Sequence, residues 1–421
     1  MNLSKLRNFI VLLTLLILAG GMGFNLGQKS VKPYFPHPQV LNREAPPLTM
    51  VDFSLFWDVW ERVSKDFIDK KALDPQKMVW GAISGMVQSL GDPYTVFLPP
   101  QQNKEAKEDL GGLFEGIGAQ LGVNDKKIVV IAPLKGTPAE SAGIKAGDWI
   151  VKVDGKETGG WTLPEAVSKI RGPKGTKVTL TIVHREEEKS VEVSVTRDKI
   201  LVKSVESWVK DIKDIKEIKE INNLKGTVAY LRLLRFGDQT NAEWEKAVQE
   251  ISNFNSPVGG QSPSSLNGLI LDLRNNPGGY LQGAVFITSE FLKEGVIVKQ
   301  ENASGAHQTY SVSREGKFLR IPLVVLINKG SASASEIVAG ALKERGRAKL
   351  VGETTFGKGS IQEAQDLKGD AGLHITNAKW LLPSGRSVNG TGIDPDVKIE
   401  DDTKTENIDE QLEKAVEVLV K

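Results

Sequence analysis

The second half of the chain constrains the fold most. From residue 226 onward, apolar runs of strand length alternate with helical patterns: "GTVAYLRLL", "TNAEWEKAVQEI", "NGLILDLR", "GAVFITSEFL", "PLVVLIN", "SEIVAGALKERG" and "AKLVGE". Runs as continuously apolar as these read as buried strands. Buried strands joined through helices predict an α/β core.

The remainder of the 421 residues is too long for one domain and changes character along the chain. Residues 51–108 read as helical: Leu55, Trp57, Val59, Trp60 and Val63 recur at helical spacing. A second helix starts at Asp74-Pro75 and stops at Gly91-Asp92-Pro93. Residues 109–200 alternate short β-rich runs ("KIVVIAPL", "DWIVKVDG", "KVTLTIVHR", "KSVEVSVTR") with Gly turns and two short helices, a compact α+β module. Residues 30–50 form a Pro-rich linker, and 403–421 a C-terminal amphipathic helix. The Lys/Glu run at 210–224, with Ile212, Ile215, Ile218 and Ile221 at every third position, reads as a solvated insertion or short surface helix without assigned function.

Charge and cysteine usage narrow the chemistry. The net charge of +1 gives no reason to expect nucleic acid as a partner. No cysteine is present, which removes disulfides, thiol nucleophiles and most structural zinc sites. At the N-terminus, Lys5 and Arg7 precede the apolar run Phe9–Gly23, and no charge follows until Lys29. That is the pattern of an export signal, here read as an anchor over residues 1–29. As a helix the charge-free stretch between Arg7 and Lys29 is long enough to cross a bilayer, with Lys5 and Arg7 inside.

Three stretches carry candidate chemistry. "KGSASASEIVAGAL" places Ser331, Ser333 and Ser335 at the start of a helix, whose positive end favours an alkoxide. "SASE" also fits a capping box, with Ser333 as N-cap and Glu336 reaching back. "LILDLRNNPGG" ends a buried strand in a turn whose two glycines leave backbone N–H groups uncovered, as an oxyanion site requires, although an ordinary tight turn reads the same way. "GETTFGKGSIQ" nearly matches a phosphate-binding loop, but Gly359 stands where a metal-binding hydroxyl is needed. Lys358 there is flanked by glycines with no acid between Glu353 and Glu363, and burial would lower its pKa enough to act as a base. Gln362, four residues on, falls on the same face in either a helix or a strand, and orients the amine without adding charge. A serine with a neutral lysine is a working variant of the Ser-His-Asp arrangement. His374 in "GLHITNAKW" remains a second candidate base.

Together "GSASASEI", "VGETTFGKGSIQ", "LDLRNNPGG", "LPSGRSVNGTGIDPDV" and "SLGDPYTVFLPP" resemble the carboxyl-terminal processing (tail-specific) peptidase family over nearly the whole chain after the linker. The resemblance implies a multidomain α/β and α+β protein: an N-terminal anchor and helical region, a PDZ module at 109–200, and an α/β, crotonase-like Ser-Lys protease core at 201–402. It implies Ser333 as nucleophile, Lys358 as general base and Gln362 as third member. Backbone N–H groups of Ala334 and Gly279 form the oxyanion hole, with Gly278 left open as the alternative glycine. In the PDZ-like module, "LFEGIGAQLG" resembles the carboxylate-binding loop, where N–H groups of Ile117, Gly118 and Ala119 would hold a peptide C-terminus. The strand "AQLGV" offers an edge for an added peptide, "TLPEAVSKI" closes the groove, and Arg171 ends that helix.

The implied activity is that of a serine endopeptidase cutting protein substrates near their C-termini, without metal or cofactor. The expected partners are proteins or peptides with free C-termini and, through the N-terminal segment, a membrane. An activating lipoprotein or adaptor and a homo-oligomer stay open. The expected location is extracytoplasmic. The rival reading is a PDZ scaffold or chaperone on an idle protease-like core.

Overall fold

The computed structural model describes residues 52–124, 127–184, 189–216, 218, 225–254, 266–400 and 408–420. The apolar run at Phe9–Gly23 and the linker lie outside them. Among the described residues no helix is long and apolar enough to cross a membrane.

The chain divides into two units, one ending at Asp74 and one beginning at Pro75. The first contributes helix α1 (Ser54–Asp66) and a 3-10 turn at Lys70–Ala72. No residue of α1 is buried, and the predicted stripe leaves Leu55, Trp57, Val59 and Val63 exposed.

The second unit begins with α2 (Pro75–Gln88), β1 (Val96–Leu98), α3 (Pro100–Gly111) and β2 (Leu113–Gly116). Next come β3 (Ala119–Asn124), β4 (Lys127–Pro133), α4 (Pro138–Ser141), β5 (Trp149–Val153), β6 (Lys156–Glu157), α5 (Leu163–Ile170), β7 (Lys177–Val183) and β8 (Ser190–Thr196). Strands β3-β4-β5-β7-β8 form an antiparallel sheet around its own core, which includes Ile128, Val130, Ile150, Leu180 and Ile182. The edge strand β3 has one free side, and α5 packs next to it. Thr162 and Glu165 cap α5 reciprocally, which fixes where the helix starts. The chain enters and leaves this module through β2 and its antiparallel partner β9 (Asp198–Leu201). Arg171 lies on that stem. Its guanidinium is 4.5 Å from the Phe114 ring centre and 3.4 Å from Asp109.

The rest of the chain forms the predicted α/β core: β10 (Val205–Asp211), β11 (Thr227–Leu233), α6 (Thr240–Phe254), β12 (Leu266–Asp272), α7 (Leu281–Thr288), β13 (Val296–Asn302), β14 (His307–Ser311), β15 (Leu323–Ile327), α8 (Ala334–Glu344), β16 (Lys349–Gly352), β17 (Ser360–Asp366), β18 (Gly372–Leu381), β19 (Val397–Lys398) and α9 (Glu410–Val420). One sheet runs β10-β11-β12-β15-β16-β19, parallel throughout except for β10. Side chains alternate across it. Ala229, Leu231, Leu269, Leu271, Val325 and Ile327 face one buried cluster with residues of α6, α7 and α8. Val228, Tyr230, Ile270, Val324, Leu326 and Val351 face another with Leu412, Ala415, Val416 and Leu419 of α9. Both faces are covered, so the strand centres are apolar on both sides. The C-terminal helix, read from sequence as amphipathic, is one of the two covering layers.

One correction concerns the Lys/Glu run. Its first part is the edge strand β10 followed by a 3-10 turn at Ile212–Asp214, and Ile212 and Ile215 are buried beneath α9's cluster. The every-third-residue isoleucines begin as a turn packed on the sheet, not as a solvated insertion. Residues 217 and 219–224 lie outside the described residues.

The second core sheet, β1-β18-β13-β14 with β17 on β18, brings the segment after Gly91 beside the chain that follows Lys358. The parallel sheet aims its strand ends at common ground, since β12, β15 and β16 finish next to one another. There Asp272, fully buried, takes hydrogen bonds from the Tyr230 hydroxyl (2.6 Å) and from Arg274 (2.7 Å). Arg274 also bridges to Asp409 at the start of α9 (2.8 Å). Burial raises the Asp409 carboxyl, but hydrogen bonds and charge from Arg274 outweigh it and hold the pKa below the ordinary carboxylate value. Its stabilisation is therefore present above that ordinary value and is lost as pH falls through the depressed one. Arg274→Ala leaves the buried Asp272 without its cation and should cost about 3–5 kcal/mol in urea unfolding at neutral pH. A loss below 1 kcal/mol would show that the bridge does not hold α9 to the sheet.

Candidate active site

Two turns at the ends of neighbouring strands build the centre of the site. After β12, Asn276 is fully buried. Its amide donates to the Leu233 carbonyl (2.7 Å), and its side-chain oxygen accepts from Gly278 N–H (2.9 Å). After β15, the Ser331 hydroxyl donates to the Leu273 carbonyl (2.8 Å), the Ser335 hydroxyl to the Asn276 carbonyl (3.0 Å), and Ala332 N–H to that same carbonyl (3.0 Å). Asn275 and Asn328 close the other side with two further bonds. The two turns are thereby fixed against each other.

The three serines differ in this setting. Ser331 and Ser335 are completely buried, with their hydroxyls committed to carbonyls. Ser333 is half-buried, and its hydroxyl meets the Glu336 N–H in a capping box, with no bond to a carbonyl among the described residues. It is the N-cap of α8 and holds φ 54°, ψ −115°, a conformation an L-residue reaches at a cost of about 1–3 kcal/mol. Neighbouring bonds keep it there, so its side chain projects from a sharp strand-to-helix elbow.

Beside Ser333 lie two N–H groups without an acceptor among the described residues, those of Ala334 and Gly279. Ala334 opens α8, where helix geometry supplies no acceptor. Gly278 N–H is already spent on Asn276, which distinguishes the two glycines. Neither glycine could carry a side chain. A Cβ on Gly278 would lie 2.8 Å from Ser333 Cβ, and one on Gly279 would lie 2.1 Å from the Phe236 carbonyl oxygen. A cavity of 370 Å³ opens beside Gly279, lined among others by Asp238, Tyr280, Leu281, Tyr310 and Ile361.

Glu336 joins this elbow to the loop that carries Lys358. Its carboxylate is fully buried and accepts four bonds. They come from Ser333 N–H (2.8 Å), Lys358 N–H (2.9 Å), Gly357 N–H (2.7 Å) and the Thr355 hydroxyl (2.6 Å). The capping-box reading saw only the first. The same geometry excludes a phosphate loop: the glycine-loop N–H groups point at a protein carboxylate, and a strand, not a helix, follows.

The Lys358 ammonium is half-buried and lies 4.6 Å from the Tyr94 ring centre. Burial lowers its pKa, and the Asp92 carboxylate partly offsets that. It donates no hydrogen bond to Ser333 or Gln362 among the described residues. Gln362 instead donates to the hydroxyls of Ser360 (2.9 Å) and Thr376 (3.0 Å). The same-face argument for Lys358 and Gln362 assumed one regular element. Lys358 precedes β17, and the strand register shifts between Ile361 and Gln362. His374 stands on β18, with its pKa lowered by burial and by the nearby Lys358. Among the described residues no group of acids and histidines could hold a metal.

In the β-rich module, Gly118 has φ +78°, and the N–H groups of Ile117 and Gly118 have no acceptor among the described residues. Their carbonyls are engaged: Ile117 accepts from Ala139 N–H (2.8 Å), and Gly118 from Leu134 N–H (2.8 Å) and the Thr137 hydroxyl (2.9 Å). Ala119 begins the free edge strand β3.

Comparison with known proteins matches this architecture. Residues 227–399 match peptidase family S41, residues 129–183 a PDZ domain, and residues 39–101 the N-terminal domain of activating protease CtpB. The carboxy-terminal-processing protease of Bartonella bacilliformis is 37% identical over 84% of this chain and 76% of its own length. The carboxy-terminal processing protease CtpA of Bacillus subtilis is 36% identical over 93% and 76%. The solved structure of a photosystem II D1 C-terminal processing protease superposes with a TM-score of 0.50 at 29% identity, covering 89% of this chain and 98% of that one. Fold and sequence thus define a serine-type peptidase coupled to a PDZ domain. The chain belongs to peptidase family S41, among the carboxy-terminal processing proteases.

Sequence reading missed Asn276, Thr376 and the wider role of Glu336. The signal for Glu336 was its place three residues after Ser333, and helix capping explained that place completely. Glu336→Gln turns one acceptor into a donor facing N–H groups, so the elbow and the lysine loop separate. We expect kcat to fall about 10²-fold with the fold retained, measured by peptide cleavage beside circular dichroism.

Proposed function

We propose that Ser333 attacks the scissile carbonyl, that Lys358 takes its proton as a neutral amine, and that N–H groups of Ala334 and Gly279 hold the tetrahedral oxyanion. The observation that carries this reading is the strained Ser333 elbow flanked by those two unpaired N–H groups. Each such donor is typically worth about 3 kcal/mol in the transition state. Lys358 suits the base role because burial favours its neutral form. To accept the proton its amine moves from Tyr94 to Ser333 Oγ and later protonates the leaving amine. Water then hydrolyses the acyl-enzyme. Gln362 acts as the third member by ordering the β17–β18 wall through Thr376.

The substrates are proteins with free, apolar C-termini. N–H groups of Ile117, Gly118 and Ala119 bind the terminal carboxylate, and the peptide adds to β3 as a further strand against α5. Lys5, Arg7 and the apolar run Phe9–Gly23 support a membrane anchor with the peptidase on the extracytoplasmic side.

The test is cleavage of an unstructured protein by the full chain. Ser333→Ala and Lys358→Ala should each lower the rate at least about 10³-fold while circular dichroism stays unchanged. Ser331→Ala and Ser335→Ala should keep cleavage and lose about 1 kcal/mol of stability, because each removes a buried hydrogen bond to a carbonyl that keeps a second donor. Cleavage that survives in Ser333→Ala, or vanishes only in Ser331→Ala, would sink the assignment. Rate should rise with pH through the depressed lysine pKa. A limb that persists in Lys358→Ala at the histidine range would move the role to His374.

A further inference from the structure

The segment Asp92–Thr95 lies far from the elbow in sequence, yet it forms one wall of the site. Strand β1 pairs with β18 so that Val96 faces His374. The Tyr94 ring presents its face to the Lys358 ammonium at 4.6 Å, a cation–π distance. Asp92 is bound into the same turn, accepting from Tyr94 N–H (3.1 Å) and from the Thr95 hydroxyl (2.6 Å). The Thr95 hydroxyl in turn accepts Thr376 N–H (3.0 Å), and the Thr376 hydroxyl accepts from Gln362 (3.0 Å). One turn thus touches Lys358 through a ring face and reaches Gln362 through a chain of hydrogen bonds.

Both contacts on Lys358 favour its charged form. A ring face attracts a cation and is indifferent to an amine, and a carboxylate acts in the same sense across space. The other ionisable groups facing Lys358 do not supply that charge. Glu336 spends its carboxylate on four donors, one of them the Lys358 backbone N–H, and His374 would repel a cation if protonated. β17 contributes only neutral side chains, Ser360 and Gln362, near Lys358.

We propose that Tyr94 and Asp92 are positioning residues that hold the Lys358 ammonium away from Ser333, so that they set both its resting place and the pH at which the base becomes free. The proposal rests on Lys358 as the base. Burial alone pushes the lysine toward neutrality, and Asp92 opposes this. The balance determines how much of the enzyme is competent at a given pH.

The sign is explicit. Removing a group that favours the protonated lysine lowers the lysine pKa, and a base active when neutral then works at lower pH. In the full chain, Asp92→Asn and Tyr94→Leu should each move the acid limb of kcat/KM to lower pH by about one pH unit. Tyr94→Phe keeps the ring face and should place the limb where wild type has it. A purely structural turn would instead lower kcat/KM with the limb in place, and that result in both Asp92→Asn and Tyr94→Leu overturns the proposal. A readout independent of cleavage covers variants that lose activity. In Ser333→Ala, lysines are labelled as ¹³C-dimethylamines, and the Lys358 resonance is assigned by its loss in Lys358→Arg. Its titration midpoint should fall on adding Asp92→Asn, and an unmoved or higher midpoint rejects the role. If instead Lys358→Ala retains cleavage, the catalytic reading fails and the titration alone reports on the turn.

Discussion

Glu336 is the interaction on which the site depends. An ionised carboxylate in a fully buried position is tolerated only when its lone pairs are occupied, and four donors occupy them. Those donors come from the nucleophile elbow and from the lysine loop, which are separate in sequence and sit on different strand ends. Desolvation makes each bond count, because leaving any donor unmet in the interior is expensive. The carboxylate therefore clamps the backbones of Ser333 and Lys358 while leaving both functional side chains free.

That freedom has a visible consequence. The backbones of the elbow, the oxyanion turn and the lysine loop are fixed by buried hydrogen bonds, whereas the Lys358 ammonium rests on Tyr94. Under the proposed reading, the fixed parts are those that pre-organisation for an oxyanion requires, and the ammonium is the proton carrier. The backbone at Gly278 and Gly279 follows from the same requirement. Close approach to Ser333 and Phe236 forbids a Cβ, and Asn276 takes the Gly278 N–H while the next one has no acceptor among the described residues.

The peptide-binding module is organised on a different principle. Its sheet has a core of its own with β3 at its edge, and the N–H groups of Ile117 and Gly118 in its loop have no acceptor among the described residues. It joins the core through the β2–β9 stem, where Arg171 stacks on Phe114 and reaches Asp109. Arg171, which ends α5 as the sequence reading has it, also reaches the stem.

By itself the sequence determined the architecture and, with the family resemblance, pointed to the stretch proposed to react. Continuous apolar runs at "LILDL" and "PLVVLI" read as strands buried on two faces, and the glycines at 278 and 279 marked a turn with uncovered backbone N–H groups. Local pattern is enough for such features because they are set by neighbours in the chain. The tertiary structure decided what depends on distant partners. It separated Ser333 from Ser331 and Ser335 through burial against the Leu273 and Asn276 carbonyls. It committed the Gly278 N–H to the Asn276 side chain and left the Gly279 N–H without an acceptor among the described residues. It turned the isoleucines at 212 and 215 inward because α9 folds over them. It brought Asp92 and Tyr94 to Lys358, a pairing across more than half of the chain that no spacing rule encodes.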